Sequence, residues 1–314
     1  MRVTTNAFTE SLVNQLSQLT TRQSTLQSEV SSGLSVTAPS DNPEAMQNTL
    51  NYQSQSAAQT QYTNNITTLQ SRATSVSDVL SSLQTLVSRV NEIATSAQNT
   101  TVSQTDLDSY ANEVNLLINQ AVQLVNTKDP STGQYLFGGT ASSSAPFTTT
   151  TDSSGDVTAV AYNGNSSTNQ SEIAQGSLVS VDIPGANTTG TGARGLVTDS
   201  QSGADLFNHL IALRDDLTSG NVTAITSTDS ANLDKDQNNI LYQVSKNGAV
   251  QTQLETASTV ASNATSTLNT MISNSSSADM VQTLVQLNSV QTAYQAALQS
   301  GAKIMQLSIL NYIS

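Results

Sequence analysis

Residues Tyr62–Ala97 read YTNNITTLQSRATSVSDVLSSLQTLVSRVNEIATSA, and within them Tyr62, Ile66, Leu69, Ala73, Val76, Leu80, Leu83, Val87, Val90, Ala94 and Ala97 follow at alternating steps of four and three. Such an unbroken heptad seam predicts a helix packed lengthwise on other helices, in the manner of a coiled coil. Upstream, Asp41-Asn42-Pro43-Glu44 marks its start: Asp41 suits the cap, Pro43 the first turn, and Glu44 lies at the capping-box spacing. Continued to about Gln98, the helix is roughly 80 Å long at 1.5 Å per residue, which predicts a rod.

Working outward, Ser103 with Asp106 three residues on predicts a second helix with Leu107, Tyr110, Val114, Leu117, Ala121 and Leu124 along its seam. The short polar break at Asn99 to Val102 implies an antiparallel hairpin. From Lys128 to Ser202 the pattern changes to turn clusters and recurrent glycine. Val179, Val181 and Ile183 alternate with polar residues, and Val157 to Tyr162 runs into Asn163-Gly164, a hairpin signal. A small β-rich insertion is expected there. Helical spacing returns with Leu206, Leu210, Leu213 and Leu217, ending near Gly220, and then with Leu233, Ile240, Asn247, Leu254, Ala261 and Leu268 at steps of seven. Gln237, Gln251 and Thr265 at companion positions predict looser packing than along the first long helix.

At the N-terminus Phe8, Leu12, Leu19, Leu26 and Val30 lie on one helical face before Gly33, and at the C-terminus Met280, Leu284, Leu287, Tyr294, Leu298, Met305, Ile309 and Tyr312 lie on another. The two ends are expected to pair. The last stretch, with Leu307 and Leu310 added to Ile309 and Tyr312, is apolar on more than one face, so one partner helix cannot cover it. Burying each such side chain is worth about 1.5 to 3 kcal/mol, which favours burial by other subunits. The expected fold class is mainly α, a long helical bundle of N- and C-terminal segments with a small β-rich mid-chain insertion. Its expected parts are terminal helices at 1–42 and 275–314, a helical rod at 43–139 and 203–274, and an outward-facing β-rich domain at 140–202.

Composition narrows the functions. Of 314 residues only 11% are charged and 36% hydrophobic, against about 25% charged in an ordinary soluble domain. With no Cys, disulfide frameworks, thiolate metal sites and cysteine nucleophiles are excluded. A net charge of −13 repels a phosphate backbone or an anionic membrane, so neither nucleic acid nor membrane insertion is expected. No stretch reaches the length of a spanning helix, and no Sec-type signal is expected from the opening residues. The single His209 stands beside the stripe of a short helix and reads as a structural residue. With no phosphate-binding, dinucleotide, EF-hand or zincin motif, the expectation is no enzyme, no cofactor and no metal.

Several local motifs resemble the bacterial flagellin superfamily. Ser31-Ser32-Gly33-Leu34 is similar to a segment its members share, and Ala38-Pro39-Ser40-Asp41-Asn42-Pro43 resembles the TPSDDP-like motif of the hook-associated protein 3 family. Tyr135-Leu136-Phe137-Gly138-Gly139 with Pro146-Phe147 resembles that family's YLFAG segment and the PF after it. Tyr162-Asn163-Gly164, Ile183-Pro184-Gly185, Asp205-Leu206-Phe207 and the ending Leu307 to Tyr312 are similar too. Asn42 and Asn311 depart from the pattern, standing where that family commonly has Asp. The resemblance implies an adaptor at the hook-filament junction of the bacterial flagellum, exported by the flagellar type III route. Its implied partners are further copies of itself, a neighbouring hook-associated protein, flagellin and an export chaperone. A filament subunit of the same superfamily is the second reading, and a secreted enzyme or carbohydrate-binding module the third.

Overall fold

The computed structural model describes residues 2–99 and 101–313, with side chains described at 7, 9–99, 101–303 and 305. The chain divides into a terminal unit, Met1–Gln59 with Asn263–Ser314, and a central unit, Thr60–Ser262. Seven helices are described: α1 (Arg2–Ser32), α2 (Pro43–Ala97), α3 (Gln104–Val125), α4 (Leu206–Ser219), the single turn α5 (Val222–Ala224), α6 (Ser230–Ser276) and α7 (Met280–Ile313). A mainly α chain with a small sheet-containing segment in its middle is the observed class.

In the central unit the α2 seam is buried from Ile66 to Ala97, and Tyr62 at its head is half-buried. A second row at steps of seven, Val79, Leu86 and Ile93, is buried with it. The stripe is therefore wider than a two-helix seam, because α3, α4 and the start of α6 pack into the same core. Ser103 caps α3 with both halves of a capping box, its hydroxyl accepting from Asp106 N–H while the Asp106 carboxylate accepts from Ser103 N–H. Arg89 reaches Glu113 at 2.7 Å, as expected of antiparallel α2 and α3. The buried row of α3 is Leu107, Ala111, Val114, Ile118, Ala121 and Val125, while Tyr110, Leu117 and Leu124 are only partly buried. The expected seam thus holds at Leu107, Val114 and Ala121 and moves one residue on, to Ala111, Ile118 and Val125, at the alternate positions.

The start of α2 also differs from expectation. Asn42, not Asp41, is the cap: Asn42 Oδ1 accepts from Ala45 N–H at 3.1 Å. The Asp41 carboxylate faces back and accepts from Thr37 N–H at 3.0 Å and Ala38 N–H at 2.8 Å, closing the turn through Pro39 and Ser40. Those amides, Ala38 first, hold its carboxyl below the usual carboxylate range.

The middle segment forms small sheets. β1 (Phe147–Thr151) pairs antiparallel with β2 (Val157–Tyr162), β3 (Ser171–Ala174) with β4 (Ser177–Val179), and β5 (Ala186–Asn187), β6 (Thr198–Asp199) and β7 (Ala204–Asp205) make a third. The hairpin of β2 turns at Asp152–Asp156 before it, not at Asn163-Gly164 after it; the Asp152 carboxylate accepts from the Ser154 and Asp156 amides and shapes that turn. The alternating Val179, Val181 and Ile183 are all buried, yet only Val179 lies in a strand, because the chain then leaves its hairpin partner. Ile173, Val179 and Val181 pack on Ile66, Leu69 and Ala73 of α2 and Leu254 and Ala261 of α6.

The face of α6 explains how a chain so poor in charge is held. Leu233, Ile240, Asn247, Leu254 and Ala261 are buried as the spacing predicted, and beside them so are Asp236, Asn239 and Gln243. Asn239 Nδ2 donates to the carbonyls of Gly195 and Leu196, each at 2.9 Å, and Gln243 Nε2 donates to those of Arg194 and Gly195. One turn on, Asn247 and Gln251 both donate to Ala73 O of α2. Polar positions on this helix are docking contacts, and Asn239 and Gln243 give partners to loop carbonyls at 194–196. Replacing Asn239 by Leu should lower the stability of the full chain by about 1 to 3 kcal/mol in urea unfolding, the cost of orphaning Leu196 O and leaving Gly195 O to Gln243 alone.

Candidate assembly surface

In the terminal unit α1 and α7 run antiparallel, with Arg22 donating to Gln286 at 3.2 Å and Gly301 lying against Leu12. On α1 the covered positions are Leu12, Leu16, Leu19, Gln23, Leu26 and Val30; on α7 they are Thr283, Leu287, Val290, Tyr294, Ala297 and Gly301. Both rows step by four and three, so the pair is a two-helix heptad seam. Gly301 lets the helices approach: a Cβ there would stand 2.5 Å from Leu12 Cδ2.

Where α1 gives way to α2 and α6 to α7, the two breaks lie side by side. Gly33 ends α1 with φ 72°, a left-handed conformation that suits glycine. Leu34 then bridges to Ser277, Ser35 N–H donates to Ser276 O at 2.8 Å, and Ala278 N–H donates to Gly33 O at 2.9 Å. Ser275 Oγ donates to Ala45 O and accepts from Thr49, tying the first turns of α2 to the end of α6.

The expected interface residues divide. Leu26 is buried, and Leu12, Leu19, Val30, Leu287 and Tyr294 are half-buried along the α1/α7 seam. Met280, Leu284, Leu298 and Met305 are exposed instead, and Val281 and Val285, absent from the expected set, are 75% and 64% exposed. Thus α7 carries two apolar faces where the spacing predicts one stripe, and their separation is set by the partner's position. The side chains of Phe8, Leu307, Ile309, Leu310 and Tyr312 lie outside the described residues.

The motif residues do a different job from the helical stripe. Pro39, Ser40, Asp41 and Pro43 form the exposed turn entering α2. Tyr135, Leu136, Phe137 and Gly138 belong to a knot in the central unit. Leu136 and Phe137 are buried, and Leu136 O accepts from Arg72, whose guanidinium also pairs with Asp182 at 2.8 Å and Asp129 at 3.5 Å. Phe137 O accepts from the Tyr162 hydroxyl and from Gly185 N–H. The Phe147 ring lies 5.1 Å from Tyr162 and 5.7 Å from Phe207, and a Cβ on Gly185 would collide with both Phe147 and Tyr162. These scattered motifs therefore meet in space, anchoring the β segment to the helices.

Among the described residues no group of acids and histidines is arranged to hold a metal, and no helix is long and apolar enough to cross a membrane. His209 pairs with Asp236 at 2.7 Å, and Asp236 also accepts from Asp205 N–H. Burial pushes the Asp236 carboxyl up, against the pull of His209.

Paired terminal helices, a helical central unit and a motif knot carrying a small β segment make a mainly α fold of flagellin-like element order. Residues 3–142 match the family described as the bacterial flagellin N-terminal helical region. Solved structures share the fold. A flagellar hook-associated protein from Vibrio parahaemolyticus is 21% identical, with TM-score 0.64 over 76% of this chain and 100% of that one. Hook-associated protein 3 from Legionella pneumophila is 18% identical, with TM-score 0.58 over 71% and 97%. FlgL from Xanthomonas campestris is 19% identical, with TM-score 0.56 over 69% and 98%. No curated protein matches the chain.

Because Gly301 sits against Leu12, Gly301→Leu should force α1 and α7 apart. Amide exchange over residues 9–30 should rise several-fold while that of α3 and α4 stays unchanged, as hydrogen-exchange mass spectrometry on the full chain would read.

Proposed function

We propose that this chain is a structural adaptor of the bacterial flagellum that joins the hook region to the filament. The observation that carries the reading is the α1/α7 pair, which covers one face of α7 and leaves Met280, Val281, Leu284 and Val285 open on another. Four neighbouring exposed apolar side chains on a terminal helix call for a protein partner. The fold likeness to hook-associated proteins supports placing that partner in the flagellum.

On this reading 1–42 with 275–314 form the axial assembly layer, 43–139 with 203–274 the helical layer around it, and 140–202 the outward domain. Copies of the chain pack through the exposed Met280, Leu284, Leu298 and Met305 together with Phe8, Leu307, Ile309, Leu310 and Tyr312, while Leu12, Leu19, Leu26, Val30, Leu287 and Tyr294 hold α1 to α7 within each copy. The neighbours are a hook-associated protein on one side and flagellin on the other, and an export chaperone shields the apolar tail before secretion through the flagellar apparatus. The family match to a flagellin region favours one second reading, a subunit of the filament itself.

Immunogold labelling of intact flagella should give one band beside the hook. Label along the whole filament would establish the second reading instead. Deleting residues 305–314 should leave far-UV helicity largely intact and abolish incorporation into flagella; normal incorporation would remove the tail from the assembly surface.

A further inference from the structure

The passage from α4 to α6 holds a buried acid that neither packing nor assembly accounts for. After Gly220 closes α4, α5 leads into a π-helical turn, Ile225–Asp229, that runs directly into α6. Ile225 is buried in the central core, and Asp229 at the end of the turn is only 2% exposed. Its Oδ2 has no hydrogen-bond partner. Facing it from α4 is the Asp216 carboxylate, near enough to share a hydrogen bond with it, and Asp216 Oδ1 already accepts from Asn221 Nδ2 at 3.0 Å. Among the described residues neither Asp216 nor Asp229 has an ion pair. The other titratable group acting on Asp229 is His209 of α4, whose ring is engaged with Asp236 of α6.

Two carboxylates at hydrogen-bonding range, one of them shut off from water and without a cation, are strongly unfavourable as a pair of anions. One proton removes the conflict, because a protonated carboxyl donates to the other's oxygen and gives the orphan atom a role. The π turn is where the cost would be felt. π turns are rare and occur mostly as single turns, and here Ser230 Oγ donates to Ile225 O at 2.9 Å while Gln98 of α2 donates to Ser230.

We propose that Asp229 and Asp216 share a proton and that this proton sets the π turn joining α4 to α6. Binding it firms the turn, and releasing it leaves two facing anions that only opening of the turn can hydrate. Burial foremost, then Asp216, raises the Asp229 carboxyl to about 6. Because the folded chain binds this proton more tightly than the unfolded one, the stabilisation is full below the ordinary Asp range near 4 and is lost as pH rises through about 6. The device therefore stiffens the turn on mild acidification.

The test is run on the full-length chain. Carboxyl-carbon NMR should show Asp229 titrating near pH 6. Amide exchange over 221–233, corrected for intrinsic rates, should be at least about tenfold faster at pH 7.5 than at pH 5.0. Asp229→Asn should abolish that step and Asp216→Asn should move it to lower pH, while His209→Asn should leave it in place. The proposal is overturned if Asp229 titrates near 4, if the step survives Asp229→Asn, or if His209→Asn removes it. Should the Asp229→Asn variant fail to fold, the wild-type carboxyl titration alone decides.

Discussion

Burial of one broad apolar stripe, on α2 from Val76 to Ala97, organises the central unit. Its seam positions and the second row of Val79, Leu86 and Ile93 demand more cover than one helix provides, and α3, α4 and the first turns of α6 provide it. Once these helices enclose the stripe, the middle segment has a fixed frame to dock on. Phe137, Phe147 and Phe207 close that docking site, with Tyr162 across the ring of Phe147 and Gly185 admitting both. A core with so few aromatics concentrates them at the joint, where large rigid side chains contribute most per residue.

Scarcity of charge sets the second constraint. On exposed helix faces, Ser and Thr hydroxyls turn back to carbonyls four residues earlier, as Thr67 does to Thr63 and Ser82 to Asp78. Between elements, amides take the part that ion pairs play elsewhere: Asn239, Gln243, Asn247 and Gln251 donate across α6 to backbone carbonyls. The buried charges that do occur are few and close-coupled. Arg72 satisfies two aspartates and a carbonyl at once, whereas Asp229 is left facing a second acid.

Much of this was legible in residue spacing. The long seam of α2, the Ser103 capping box and the leucine spacing of α4 each rest on local geometry that a helix imposes on its own sequence. Misreadings arose where a nonlocal partner chose between local options. Asp41 and Asn42 are both good caps, and the backward turn to Thr37 and Ala38 took the first and left the second. Asn163-Gly164 could close a hairpin, but β2 found its partner upstream. For the assembly surface, apolar character on α7 was evident, while its division into Leu287 and Tyr294 against α1 and Met280 and Leu284 in the open was not.

The sequence by itself determined which segments are helical, that the ends of the chain form helices with apolar stripes, and that charge is sparse and thiols are absent. Periodicity and composition are properties of the chain alone, so they needed no partner to be read. Only the tertiary structure decided that motifs spread from Tyr135 to Phe207 make one knot, that Asn and Gln on α6 are docking groups, and that Asp216 stands against Asp229. Each of these depends on residues far apart in sequence reaching hydrogen-bonding distance, and such proximity is set by how whole helices pack.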